Sequence, residues 1–277
     1  MKIVTDPKKM TLLVREARRQ GKRIGFVPTL GALHDGHATL MAKARKENDI
    51  VVVSTFVNPL QFRKAAYERY PRDPEGDRAL CEKAGVDYLF APSAEKMYPE
   101  RFDTVVEVKE LTGRLEGAAI RWHYRGVTTV VAKLFAIVEP DKAYFGKKDP
   151  HQLAILKRMT EDLNIAVQIV PVATKRDRDG MALSSRNRLL TPESRKAALA
   201  LPKAVAEIER RIKAGETDRG KLTEALTAML SSAPGVTIDF AAIVDAETLR
   251  EEDRSGPTLI YAAVFVDGLR LTDNRVV

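Results

Sequence analysis

The stretch Ile50-Val51-Val52-Val53-Ser54-Thr55-Phe56 decides the fold class. Its near-continuous run of β-branched residues is typical of a strand buried on both faces, as in parallel sheets covered by helices. Amphipathic segments of helical length lie on both sides of it and are followed by further short apolar runs. Strands and helices that alternate in this way predict βαβ units with right-handed crossovers, which place ligand sites at the carboxyl ends of the strands.

Outward from this strand, the same alternation extends from residue 1 to about residue 174. Asp6-Pro7 predicts a helix start, because Asp caps helices and Pro suits their first turn. The predicted helices cover about 7–21, 37–47, 74–84, 126–138 and 150–163. The predicted strands cover 23–28, 50–56, 86–90, 104–108, 143–145 and 167–172.

The pattern changes past residue 175, after a polar, turn-rich segment from Thr174 to Gly180. The predicted elements there are two helices at about 192–213 and 218–232 and strands at 236–244, 258–266 and 269–274, with Asp267-Gly268 as a tight hairpin turn. We therefore expect a doubly wound parallel-sheet, Rossmann-like α/β domain over residues 1–174 and a smaller α+β domain over residues 175–277.

Composition limits the classes of protein that this chain can represent. Hydrophobic residues make up 44% of the 277 residues, enough for a sizeable core, so global disorder is not expected. The single cysteine, Cys81, has no partner for an intramolecular disulfide and is predicted to be a buried small side chain. Charge follows too soon after Met1 for a secretory segment, and no apolar run reaches membrane-spanning length, so we expect a cytoplasmic protein.

The net charge of +8 fits an anionic ligand, either a nucleotide or a nucleic acid. Lys and Arg are spread along the chain and mixed with acids, and the sequence has no basic tail and no alternation of basic and aromatic residues. Charge alone therefore does not decide between these ligands.

The segment from Val27 to His37 reads Val-Pro-Thr-Leu-Gly-Ala-Leu-His-Asp-Gly-His and joins a predicted strand to a helix. Free backbone N–H groups and the helix dipole favour phosphate at such a junction. His34 and His37 stand at the mouth of the helix, where both rings can donate to phosphate oxygens as charge develops. A metal pair or two solvated histidines is the alternative. The sequence contains neither the P-loop pattern nor the dinucleotide-binding pattern of glycines.

Three further segments carry polar groups next to predicted strands or at the predicted domain boundary. They are Tyr144 to Gln152, Asp179 to Asn187, and Phe56 to Phe62. Lys148 and the hydroxyl-rich Ser184-Ser185-Arg186 suit phosphate, whereas Asn58 and Gln61 suit a small polar substrate on an apolar floor. Each segment also has a purely structural interpretation, as a helix cap with a surface lysine, a capping loop and an Asn-Pro turn, respectively.

Together and in this order, these segments resemble the pantothenate synthetase family. The matching stretches are 27–37, 56–62, Tyr70-Pro71-Arg72, Leu115-Glu116-Gly117, His123-Tyr124-Arg125-Gly126-Val127, 146–152 and 184–187, and the resemblance covers essentially the whole chain. The family belongs to the nucleotidyltransferases related to class I aminoacyl-tRNA synthetases, whose His-x-Gly-His signature matches His34 to His37. The resemblance implies ATP-dependent joining of pantoate to β-alanine through pantoyl adenylate, with Mg²⁺ and as a homodimer, and no nucleic-acid or membrane partner.

The resemblance also implies the site residues. His34 and His37 would bind phosphate, with Lys148, Ser184, Ser185 and Arg186 neutralising the triphosphate. The ATP site would further include Pro28, Thr29, Leu30, Gly36, Gly146 and Asp149. Pantoate would be held by Asn58, Gln61 and Gln152, and Asp77 would serve Mg²⁺.

This sequence departs from the family pattern at 63–69, at Gly76, where an acid is common, and at Ile120-Arg121-Trp122. Two other functions remain open on the residues alone. A different nucleotidyltransferase would share the His34 loop but would not explain 56–62 or the Ser184 loop. A basic nucleic-acid-binding protein would explain the charge, and steeply salt-dependent binding to a polynucleotide would favour it.

Overall fold

Two compact units make up the computed structural model, which describes residues 1–118, 120–253 and 256–277, without the side chain of Ser185. Unit 1 comprises residues 1–113, 117–147 and 155–173, and unit 2 comprises residues 114–116, 148–154 and 174–277. Each unit therefore consists of three segments of the chain. The sequence predicts instead a single domain boundary between residues 174 and 175, and this boundary stays a prediction.

Six parallel strands form the sheet of unit 1. They are β1 (Lys2–Val4), β2 (Ile24–Thr29), β3 (Ile50–Thr55), β4 (Tyr88–Phe90), β5 (Lys142–Gly146) and β6 (Gln168–Val172). The order in the sheet is β1-β4-β3-β2-β5-β6, so the direction of winding reverses between β2 and β5, which pair directly. In such sheets, ligands bind beyond the carboxyl ends of the strands at this reversal. Those ends lead into the His34 loop and into Gly146-Lys147.

The helices in the sheet-forming part of the chain are α1 (Pro7–Arg19), α2 (Asp35–Glu47), α3 (Lys64–Glu68), α4 (Pro74–Lys83), α5 (Ala94–Met97), α6 (Arg121–Val138) and α7 (Pro150–Asp162). Alternate side chains of β2 point to opposite faces of the sheet. Val27 packs with Met41 of α2 and Cys81 of α4, whereas Phe26 meets Phe135 of α6 edge to face at 6.5 Å between ring centroids. Helices therefore cover both faces, and the doubly wound prediction is confirmed.

Cys81 is fully buried, as predicted. Burial, with a smaller contribution from the Asp77 carboxylate, raises the pKa of its thiol to about 12. The thiol therefore stays protonated and contributes packing only.

Unit 2 contains a three-stranded antiparallel sheet in the order β7 (Thr237–Asp245), β8 (Thr258–Val266) and β9 (Leu269–Val276). Its helices are α8 (Pro192–Ala198), α9 (Ala200–Lys213) and α10 (Arg219–Ser231), and one apolar cluster joins them to the sheet. Asp267 and Gly268 both have positive φ, as a two-residue type I′ hairpin turn requires. The predicted α+β character and the hairpin turn are confirmed.

The predicted strand at 104–108 is wrong. The segment has no neighbouring strand among the described residues. Its backbone forms hydrogen bonds with threonine hydroxyl groups of α6 instead of with the backbone of another strand. The Val106 N–H donates to Thr129 Oγ1 at 3.0 Å, and Thr128 Oγ1 donates to the Val106 carbonyl at 2.5 Å. A β-branched run thus stays extended with its backbone bonded to side chains.

Two predicted helix boundaries are also wrong. The helix predicted from residue 126 begins at Arg121 and passes through Gly126, which the sequence had indicated as a start. The helix predicted over 192–213 is broken between Ala198 and Ala200. Pro202 explains the break, because a proline ring clashes with the carbonyl four residues earlier in a continuous helix. No helix among the described residues is long and apolar enough to cross a membrane.

Candidate active site

The loop after β2 places two histidine rings side by side at the start of α2. The His34 and His37 ring centroids are 4.2 Å apart. His34 is the N-cap residue, and its Nδ1 accepts from the Gly36 N–H at 3.0 Å, while His37 Nδ1 accepts from the His34 N–H at 3.2 Å. Reciprocal bonds of this kind form a capping box and fix both rings against the helix terminus.

These hydrogen bonds also determine which ring nitrogen carries the proton. Because a backbone N–H donates to Nδ1 in each ring, a neutral ring carries its proton on Nε2. Burial, with a smaller effect of the neighbouring His34, lowers the pKa of His37 to about 3. His37 is therefore a neutral Nε2–H donor at neutral pH, which suits phosphate oxygens at a helix N-terminus.

The segment between β2 and His34 is held by two further groups. Thr29 Oγ1 donates to the Ser54 carbonyl at 2.6 Å and accepts from the Gly31 N–H at 3.1 Å. Asp77 accepts from the amides of Ala32 and Leu33. Pro28 and Thr29 end β2, and Leu30 follows them in the loop. Pro28, Thr29, Leu30 and Gly36 thus belong to the segment that carries the histidines.

Asn58 and Gln61 lie after β3 and are buried. Asn58 Nδ2 donates to Gln61 Oε1 at 2.9 Å and to the Gly126 carbonyl at 3.0 Å. Its Oδ1 accepts from the Leu60 N–H at 3.2 Å and from the Tyr98 hydroxyl at 2.7 Å. The Asn58 amide is thereby saturated within the protein. Gln61 keeps its Nε2 as the donor end.

Unit 2 brings together Lys148, Ser184 and Arg186, which line one pocket with about 380 Å³ of empty space, part of it open solvent. Ser184 Oγ accepts from the Arg186 N–H at 3.3 Å, and the Arg186 guanidinium donates to the Arg270 carbonyl at 3.1 Å. Two cations and a hydroxyl in one concave surface suit an oligophosphate. The side chain of Ser185 lies outside the described part of the structure, so its expected contact with the triphosphate stays a prediction.

The remaining predicted site residues are near the end of β5 and the start of α7. Gly146 ends β5 in unit 1. Asp149 precedes α7, exposed, with Lys148 Nζ 3.8 Å from its Oδ1, and Gln152 lies in the first turn of the helix. Both belong to unit 2, as does Lys148.

Sequence reasoning assigned no role to three groups that shape the Gln61 region. Tyr98 donates to Asn58, the His123 ring lies 2.8 Å from the Gln61 carbonyl through Nδ1, and Gly126 supplies both a carbonyl and room for the Leu60 backbone. Tyr98 gives no signal in the sequence. A glycine inside an apolar helical pattern, however, is a recognised sign of close packing, and the packing role of Gly126 could have been inferred in this way.

Comparison with known proteins decides the family. The model of the pantoate–β-alanine ligase family matches residues 2–276. The chain belongs to the pantoate–β-alanine ligase family. Among curated members, it is 50% identical to the pantothenate synthetase of Heliobacterium modesticaldum over 279 aligned residues, covering 100% of this chain and 99% of the relative. The predicted resemblance is confirmed.

Solved structures of the pantoate–β-alanine ligase family share the fold. The pantothenate synthetase of Thermus thermophilus is 44% identical, with a TM-score of 0.91 and 99% of each chain covered. The ligase of Francisella tularensis, complexed with beta-gamma ATP and β-alanine, is 32% identical, with a TM-score of 0.79, covering 100% of this chain and 97% of the relative.

Residues 63–69 and 120–122, which the sequence analysis singled out, have one contact with each other in unit 1. The Arg63 guanidinium lies 5.9 Å from the centroid of the Trp122 ring. Phe62 contacts Tyr70 at 5.3 Å and His123 at 6.4 Å between centroids. Arg63 and Trp122 therefore form a cation–π pair near Gln61.

Proposed function

We propose that this chain catalyses the ATP-dependent condensation of pantoate with β-alanine to pantothenate, through a pantoyl-adenylate intermediate, with release of AMP and pyrophosphate. The observation that carries the proposal is the His34/His37 capping box, which follows the strand at which the winding of the sheet reverses. The match of residues 2–276 to the ligase family supports it. The Francisella tularensis relative complexed with beta-gamma ATP and β-alanine supports the same substrates.

In the first step, a carboxylate oxygen of pantoate attacks the α-phosphorus of ATP. The bond from the α-phosphorus to the bridging oxygen breaks, and pyrophosphate leaves. Negative charge grows on the phosphate oxygens, where the Nε2–H donors of His34 and His37 and the positive charges of Lys148 and Arg186 would stabilise it. Ser184 would add a hydroxyl donor and Ser185 is proposed to do the same, while Gly146 and Asp149 would contact the nucleotide.

In the second step, the neutral amine of β-alanine attacks the acyl carbon. The bond from that carbon to the AMP oxygen breaks, AMP leaves, and the nitrogen loses a proton. Gln61 and Gln152 are proposed to hold pantoate, and Asn58 to orient Gln61, since its own amide is saturated. Residues 175–277 are proposed as a lid that protects the adenylate from water. A homodimer and a cytoplasmic location stay predictions.

Mg²⁺ is proposed to enter with ATP, because nucleotide-bound Mg²⁺ is held largely by phosphate oxygens and water. The described residues contain no group of three His, Cys, Asp or Glu side chains that could hold a metal ion by themselves. Bound to the phosphates, Mg²⁺ would reduce the charge on the leaving pyrophosphate. The predicted ligand, Asp77, accepts one backbone amide on each carboxylate oxygen and belongs to no such group among the described residues, so we propose no resident metal site there.

Product analysis tests the proposed function. Purified protein with Mg-ATP, pantoate and β-alanine is expected to form AMP, pyrophosphate and pantothenate in equal amounts. Pantoate labelled with ¹⁸O in its carboxylate is expected to deliver one label to AMP, since the attacking oxygen stays on phosphorus. Formation of ADP and phosphate, or AMP without label, would contradict the adenylate route. No nucleotide turnover would point to another nucleotidyl transfer.

Replacing Gln61 with alanine is expected to raise the KM for pantoate by about ten- to a hundredfold, the effect of losing a hydrogen bond to a charged group. The KM for ATP is expected to change little. Steady-state kinetics with each substrate varied in turn provides the measurement. Gln20→Ala is the matched control, because the Gln20 side chain is exposed at the C-terminal end of α1 and donates to Glu16 Oε1 at 3.0 Å. A change confined to the KM for ATP would place pantoate elsewhere.

A further inference from the structure

The backbone turns left-handed just before the histidines. Gly31 has φ of 88° and Ala32 has φ of 51°. Glycine adopts such angles freely, but an alanine there is strained and persists only where the surrounding structure holds it. Only Leu33 lies between this turn and His34, so the position of the turn sets the position of the ring.

The Asp77 carboxylate reaches this turn from the first part of α4. Oδ2 accepts from the Ala32 N–H at 3.1 Å, and Oδ1 accepts from the Leu33 N–H at 2.6 Å. The residue is only 5% exposed. A Cβ atom added at Gly31 would lie 3.0 Å from Oδ2, so the carboxylate and the turn are fitted closely to each other.

The surroundings of Asp77 favour this contact over metal binding. The preceding residue is Gly76, and Asp73 caps α4 by accepting from the Gly76 N–H at 2.9 Å. Burial raises the pKa of the Asp77 carboxyl, with the two amide hydrogen bonds opposing that effect. A buried carboxylate that accepts two backbone donors is stabilised by them and does not require a cation.

We propose that Asp77 is a positioning residue, which holds the turn at Gly31–Leu33, and through it the His34 ring, for adenylate formation, and that it is not a Mg²⁺ ligand. This proposal rests on the proposed function of the His34 loop. Because an asparagine offers a single carbonyl oxygen, Asp77→Asn leaves one of the two amides without its acceptor.

The first experiment compares kinetics of the full-length wild type and Asp77→Asn. We expect kcat for pyrophosphate release to fall about ten- to a hundredfold, as for misplaced catalytic groups, while the Mg²⁺ concentration for half-maximal rate stays unchanged. Asp73→Asn is the matched control, since asparagine caps helices as well as aspartate does, and its kcat is expected to stay near wild type. Recovery of the wild-type kcat of Asp77→Asn at high Mg²⁺ would overturn the proposal.

The second experiment measures amide hydrogen exchange without substrates or metal. In Asp77→Asn, exchange at Ala32 and Leu33 is expected to accelerate at least about tenfold, while the amides in the middle of α2 keep their wild-type rates. Unchanged exchange at both residues would overturn the positioning role even if the wild type makes pantothenate. If exchange is faster in Asp77→Asn but the wild type makes no pantothenate, Asp77 still holds the turn at Gly31–Leu33, and the proposed function is rejected instead.

Discussion

Replacing His37 or Lys148 with alanine is expected to lower the rate of adenylate formation by at least about a hundredfold, the scale observed when one transition-state donor is lost. The two side chains contribute differently. His37 is neutral at neutral pH, since its pKa is about 3, and would act as an Nε2–H donor. Lys148 lines the unit 2 pocket and would act through its positive charge.

This difference can be tested with matched variants. His37→Gln keeps an N–H donor near the Nε2 position and is expected to lose less activity than His37→Ala. Lys147→Ala removes the neighbouring lysine, for which we propose no role in catalysis, and is expected to keep kcat near wild type. Pyrophosphate release at saturating ATP and pantoate is the measurement, with thermal unfolding as a check on the fold. Near-normal turnover in both alanine variants would reject the site assignment.

Gly126→Ala is expected to damage stability and pantoate binding together. A Cβ atom at this position would lie 2.4 Å from the Leu60 carbonyl oxygen and 2.7 Å from the Gln61 nitrogen. These are backbone atoms, so no side-chain rotation relieves the clash. We expect the free energy of unfolding to fall by about 1–3 kcal/mol, as for overpacked cores. The KM for pantoate is expected to rise at least about tenfold because Gln61 is displaced.

Denaturant unfolding and pantoate kinetics measure these two effects. Gly220→Ala in α10 is the matched control, because it makes the same change in a helix where the nearest atom, Asp218 Oδ1, would be 3.3 Å away. Alanine favours helices, so this control is expected to be neutral or slightly stabilising. A Gly126→Ala variant with wild-type stability and wild-type KM would show that the contact between α6 and residues 59–61 adapts freely.

The sheet could be predicted because its strands carry local signals. The apolar run at 50–56 and the helix start at Asp6-Pro7 depend on neighbouring residues only. The strand β1 escaped prediction because three residues that begin with a lysine carry no periodicity. The segment at 104–108 has a strand-like composition, yet its partner is a pair of threonines about 23 residues away, which no local pattern reveals.

The position of the candidate site at the strand ends could be predicted from the sequence, but the contacts of its residues could not, and their roles stay predictions. The motif at His34–His37 was found from its position after a strand, whereas the tautomers follow from backbone donors that only the structure shows. Asn58 resembles a substrate ligand in sequence. Its amide is saturated by Tyr98 and Gly126, which lie 40 and 68 residues away along the chain, so its role depends on long-range packing.

The neutral state of the buried His37 ring also makes the stability of the fold depend on pH. In the unfolded chain this imidazole has an ordinary pKa near 6.5, whereas in the folded protein it takes up a proton only near pH 3. Between these values the unfolded state binds more protons, so the contribution of His37 to the free energy of unfolding decreases as the pH falls. The contribution is fully present above about pH 6.5 and is lost progressively toward pH 3. Acid thus weakens this protein in part through the helix terminus that is proposed to bind ATP.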